Sequence, residues 1–100
     1  MTQLRWTPQA IEDLEAIHAY VARDSIRYAS LLVERLFGAV ERLTTFPESG
    51  RIVPEFQRKD LREVILGSYR IVYRLHDDHA VILTVFHGAR LFPKSIEGAL

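Results

Sequence analysis

Between Leu61 and Arg90 the chain reads LREVILGSYRIVYRLHDDHAVILTVFHGAR, three β-rich runs separated by two short breaks. The runs are dense in Val, Ile, Tyr and Phe, residues that suit a pleated and partly buried surface. Gly67-Ser68 is the first break, and a glycine at the first central position of a two-residue loop suits a type II′ hairpin. His76-Asp77-Asp78-His79 is the second, a polar island between apolar runs. Three consecutive antiparallel strands follow from this pattern, and everything else in the chain must pack around them.

The turns set the register, and the register sets the faces. With Gly67-Ser68 as the loop, Val64 lies opposite Ile71 and Glu63 opposite Val72. With Asp77-Asp78 as the second loop, Arg74 lies opposite Val81 and Arg70 opposite Val85. Side chains alternate with period two. One face then carries Val64, Leu66, Tyr69, Ile71, Tyr73, Leu75, Ile82, Thr84 and Phe86, and is the expected core face. The other carries Glu63, Ile65, Arg70, Val72, Arg74, Val81, Leu83, Val85 and His87, a mixture of aliphatic and charged residues. A slip of one residue would invert the division.

Ahead of the meander, Gln3 to Thr7 alternates as a short strand would. Thr7-Pro8 opens a helix, with Thr as N-cap and Pro in the first turn. Ala10, Ile11, Leu14, Ile17, His18 and Val21 then recur at helical spacing. Asp24-Ser25 breaks it and offers a second cap, after which Ala29, Leu32, Val33, Leu36, Phe37, Val40 and Leu43 mark a second amphipathic helix. So short a connection implies an antiparallel helix pair. TTFPESG ends it at Gly50. In RIVPEFQRKD, Pro54 argues against a central strand. Arg51 to Asp60 therefore reads as an extended loop that brings Glu55, Arg51, Arg58 and Lys59 to the sheet's entrance. Leu91 to Leu100 carries no regular pattern. The order β-α-α-β-β-β predicts one domain over residues 1–100. Its class is α+β, in two layers, with an antiparallel sheet covered on one face by an N-terminal helical hairpin.

Charge narrows the chemistry. Thirteen basic and thirteen acidic residues cancel, so no net field draws the chain to nucleic acid or to a membrane. Lys59 and Lys94 are the only lysines, and arginine is the better residue for planar recognition of phosphate or carboxylate. Cysteine is absent, which removes disulfides and thiolate chemistry. His18, His76 and His79 lack ligand spacing with carboxylates, so neither metal nor cofactor is expected. No apolar run reaches spanning length and no signal-peptide pattern opens the chain, so a cytoplasmic protein is expected.

FPESGRIVPE, LREVILGSYRIVYRL and VFHGAR, in this order and behind a Trp-Thr-Pro opening, resemble the RelE/ParE superfamily of toxins from type II toxin–antitoxin systems. The resemblance spans nearly the whole chain. It implies a sheet with a helical hairpin on one side and the functional face on the other, and a cognate antitoxin that supplies a helix and an extended segment. Two activities share this scaffold, inhibition of DNA gyrase and ribosome-dependent cleavage of messenger RNA. GRIVPE, YRIVYR and HGAR look ParE-like, which implies gyrase. A homologue that only binds its antitoxin is a third reading.

Arg70 is the leading site candidate, since an arginine amid Ile65, Val72 and Val85 calls for a partner. It could hold a phosphate or target charge; paired across the sheet with Glu63 it would be structural. In the ribonuclease reading the resemblance implies that Arg70, His87 and Glu55 are catalytic. His87 would serve as acid or base, and Glu55 would take a 2′-hydroxyl proton. The expected target-binding set is Arg70, Arg74 and Arg90. Arg70→Ala is expected to leave no hole in the core.

Overall fold

Thr7 and Ser25 begin the two helices as their sequence dictates. The Thr7 hydroxyl accepts from the Ala10 N–H, and the Ser25 hydroxyl from the Tyr28 N–H. The computed structural model describes residues 1–99. In chain order these form β1 (Gln3–Trp6), α1 (Pro8–Ala22), α2 (Ile26–Glu41), β2 (Arg51–Ile52), β3 (Leu61–Leu66), β4 (Tyr69–Leu75) and β5 (His79–His87). Short 3-10 turns occupy Arg42–Thr44 and Lys94–Ala99. The architecture is α+β, a five-stranded sheet in the order β1-β5-β4-β3-β2 with the helix pair on one face.

The first hairpin has the expected register, with Val64 opposite Ile71 and Leu66 opposite Tyr69. Gly67 sits at φ 56° while Ser68 does not adopt positive φ, which fits a II′ rather than a I′ loop. The sheet is mixed rather than wholly antiparallel, because β1 runs parallel to the outer side of β5. The stretch expected as a loop also contributes a two-residue edge strand. There Arg51 pairs with Glu63 and Ile52 with Arg62 before Pro54 ends the pairing.

The second hairpin departs from expectation halfway along. Near the turn, Leu75 faces Ala80 and Arg74 faces Val81, as the Asp77-Asp78 loop requires. Tyr73 then faces Ile82, but Val72 faces Thr84, which leaves Leu83 as an extra residue. This is a β-bulge, and it reverses the parity of all that follows on β5. Ile71 now faces Val85, Arg70 faces Phe86 and Tyr69 faces His87. Val85 joins the helix-side core and Phe86 leaves it. The expected placement of Phe86 on the core face, and of Val85 and His87 beside Arg70, is therefore corrected.

Two apolar layers result. Between helices and sheet lie Leu14, Leu36, Val40, Leu43, Ile71, Tyr73, Ile82 and Val85. On the far face Leu61, Val72, Leu83 and Phe86 are covered by Val53 and Phe56 from the loop and by Phe92 and Ile96 from the C-terminal segment. The mixed face is thus roofed by the chain itself. Past Trp6, where β1 stops, Asp13 of α1 closes the exposed edge of β5 by accepting from the Thr84 hydroxyl and the Val85 N–H. The loop after α2 is latched from the sheet. Tyr73 donates to the Pro47 carbonyl at 2.6 Å and accepts from the Gly50 N–H at 3.1 Å. Arg62 donates to the carbonyls of Lys59, Glu48 and Gly50.

Candidate functional site

β4 projects Arg70 onto the face away from the helices, where its side chain is only 12% exposed. A guanidinium has five N–H donors in a rigid plane, and here its inner and outer edges meet different carboxylates. The inner edge meets Glu63 of β3, whose side chain is fully buried; Arg70 Nε donates to Glu63 Oε1. The other oxygen, Oε2, accepts from Arg51 Nε of β2 at 2.7 Å. The outer edge meets Glu55, carried on the loop behind Pro54. Arg70 Nη1 and Nη2 donate to its two oxygens at 2.8 Å each, a bidentate fork. Two arginines and two glutamates thus close into a neutral group of four.

Aromatic rings flank the same guanidinium. Its central carbon lies 5.1 Å from the centre of the Phe86 ring and 5.4 Å from that of Phe92, within cation–π range. Phe86 reaches this position only because of the bulge at Leu83. Phe92 comes from the C-terminal segment and also packs edge-on to Phe56 and Phe86.

These contacts set the protonation chemistry. The hydrogen bonds from Arg70 hold the Glu55 carboxyl below its ordinary value, and burial opposes this only partly. In return the bonds to Glu55, and then to Glu63, make Arg70 harder still to deprotonate. A general base works best with a pKa near the working pH. Glu55 is moved the wrong way, and both its oxygens are already engaged.

The remaining sequence candidates are not gathered around Arg70. His87 is exposed and stacks edge-on to Tyr69 at 5.5 Å between ring centres. Its Nδ1 accepts from the Ala89 N–H at 3.1 Å, so the neutral ring carries its proton on Nε2. It meets Arg70 only across a shallow depression at the end of the sheet that Arg51 and Gly88 also line. Arg74 points to the opposite end of β4, with Nε 3.3 Å from Asp60 Oδ2. That carboxylate is itself forked by Arg58 at 3.0 and 2.7 Å, which lowers its pKa. Arg90 lies beyond β5 beside a cleft of about 670 Å³ between α1 and the strand end. Arg70, Arg74 and Arg90 therefore do not form one patch. Sequence reasoning missed Arg51, Phe86 and Phe92 as parts of the Arg70 site. Arg51 could have been found as the basic residue beside Ile52 in an edge strand, but the contribution of Phe92 has no signal in LFPK.

Comparison with known proteins places this geometry in a family. Residues 4–92 match the family described as ParE toxin of type II toxin–antitoxin system, parDE. A Sinorhizobium fredii protein named Y4kP is 36% identical over 94 residues, covering 92% of this chain and 94% of that one. Toxin RelE2 of Caulobacter vibrioides is 36% identical over 92 residues, covering 91% of this chain and all of the relative. Among solved structures, the toxin–antitoxin complex RelBE2 from Mycobacterium tuberculosis aligns with a TM-score of 0.56 at 27% identity, over 86% of this chain and 96% of that one. A chromosomal ParDE system from P. aeruginosa shares the fold with a TM-score of 0.72 at 24% identity, over 87% and 96% of the two chains. The chain belongs to the ParE toxin family, within the RelE/ParE superfamily of type II toxin–antitoxin systems.

Proposed function

We propose that this protein arrests bacterial growth from the cytoplasm by gripping DNA gyrase rather than by cutting RNA, and that a cognate antitoxin neutralises it. The closed group of Arg70, Glu55, Glu63 and Arg51 carries this reading. Cleavage of a phosphodiester by neighbouring-hydroxyl attack needs a cation open to the phosphate and a base able to take a proton. Arg70 has its fork filled, and Glu55 is an engaged, acidified carboxyl. His87 stands on the other side of the strand. A net charge of zero also suits a protein target better than ribosomal RNA, which is approached through its phosphates.

An antitoxin partner is supported by the relative from Mycobacterium tuberculosis, which is a toxin–antitoxin complex. The mixed sheet face is roofed by this chain's own residues. One surface open to an amphipathic helix is at the joined ends of α1 and α2. There Tyr20, Ile26 and Tyr28 are 68%, 70% and 53% exposed, apolar area that suits burial against a partner.

Expression of the chain from an inducible promoter tests the reading. Growth arrest with induction of the DNA damage response and intact messenger RNA is expected, reversed by the gene encoded beside it. Rapid fragmentation of messenger RNA would replace this reading with the ribonuclease one. Normal growth at high levels of folded chain would leave only antitoxin binding.

A further inference from the structure

We propose that Glu55 is an internal stand-in for an external carboxylate. On this proposal the outer edge of the Arg70 guanidinium is a binding site for an acidic side chain of a protein partner, kept closed by Glu55 until that side chain displaces it. The two edges of Arg70 are built differently. Glu63 on the inner edge has no exposed side-chain surface, lies within a strand and is shared with Arg51. Glu55 on the outer edge is 40% exposed and sits on a loop between strands, two residues from Gln57 at φ 52°. Positive φ in a non-glycine residue is a strained backbone state. Of the two carboxylates, Glu55 is therefore the one that an incoming ligand would displace.

The site survives the exchange. Glu63, Phe86 and Phe92 hold the guanidinium in place from three sides without help from Glu55. Its two terminal nitrogens would still point outward in the planar fork that matches a carboxylate.

Charge selects the ligand class. Arg51 and Arg70 against Glu55 and Glu63 sum to zero. When Glu55 swings away the group carries a single positive charge, matched by one carboxylate. A run of phosphodiesters would find only Arg51 as a second cation among these four residues, and its charge is already met by Glu63. The apolar neighbours Phe92 and Ile65 suit the aliphatic stem of a Glu or Asp on a protein surface. This inference concerns the site alone and does not depend on which macromolecule the toxin arrests.

The test uses the full chain labelled with ¹⁵N-arginine, following the Arg70 Nε–H resonance while sodium acetate is added against sodium chloride of equal ionic strength. A site occupied nine parts in ten by its own Glu55 loses about tenfold in apparent affinity. Glu55→Ala should therefore bind acetate at least about tenfold more tightly than the parent, with a saturable shift and an unchanged fold by the other amide resonances. Glu55→Ala combined with Arg70→Lys, followed in uniformly ¹⁵N-labelled chain by the backbone amides of Ile65 and residue 70, should show no saturable acetate shift where Glu55→Ala alone does. Equal acetate affinity in parent and Glu55→Ala, or no saturable shift in either, would overturn the proposal. Tighter binding of a five-nucleotide RNA than of acetate to Glu55→Ala would overturn the ligand class and point to a phosphodiester.

Discussion

At the scale of single residues, Arg70 is structural before it is anything else. Glu63 is only 1% exposed and relies on Arg70 and Arg51 for both its oxygens. Removing one partner of a buried ion pair costs about 3–5 kcal/mol. Arg70→Ala should sit near the lower end of that range in urea denaturation, because Arg51 remains. The sequence alone carries the smaller expectation that removing Arg70 leaves no hole in the core. Glu55→Gln is expected to cost ~1 kcal/mol or less, since the side chain is substantially solvated. The pH dependence carries a definite sign. The Glu55 carboxyl is held below its ordinary 4.5 by Arg70 in the folded state. Its contribution is therefore fully present above that value and is lost as pH falls through the lower, folded one. The stability gap between parent and Glu55→Gln should be flat above about pH 5.5 and shrink below about pH 4. A gap that widens on acidification would contradict the pairing.

At the scale of elements, the latch between β4 and the loop after α2 can be tested directly. An added Cβ at Gly50 would lie 2.6 Å from the Tyr73 hydroxyl and 2.8 Å from the Glu63 carbonyl, closer than real contacts allow. Gly50→Ala should therefore destabilise by roughly 1–3 kcal/mol through overpacking. Tyr73→Phe should cost about 1–3 kcal/mol by stranding the Pro47 carbonyl and the Gly50 N–H. Thermal melts of both variants and the double variant check this, and the two losses should fall short of additivity because they share one contact. Much of this level was legible beforehand. Both helix starts, the Gly67-Ser68 loop and the first hairpin register follow from local chemistry that tertiary packing did not override. The second hairpin was legible only as far as Tyr73. Leu83 is neither glycine nor polar, so nothing in ILTVFH marks it as unpaired. One unmarked residue moved Phe86 to the Arg70 side and His87 away from it. The pairing of β1 with β5 joins residues more than seventy apart, and alternation in a four-residue run cannot specify such a partner.

At the scale of the whole molecule, the sheet is enclosed on both sides, by helices on one and by the loop with the C-terminal segment on the other. Ile71 is fully buried in the helix-side layer, so Ile71→Ala should lose about 2–5 kcal/mol by cavity formation. It should weaken growth arrest only in step with that loss, which melts and growth curves of the same variant can compare. The proposed division of labour is a neutral molecule whose arginine fork is closed, acting by binding. Its most direct test is a supercoiling assay with purified DNA gyrase, relaxed plasmid and the purified chain. Dose-dependent loss of supercoiling that the cognate antitoxin restores is the result expected. Undiminished supercoiling at excess chain, with cleavage of messenger RNA on translating ribosomes by the same preparation, would contradict it.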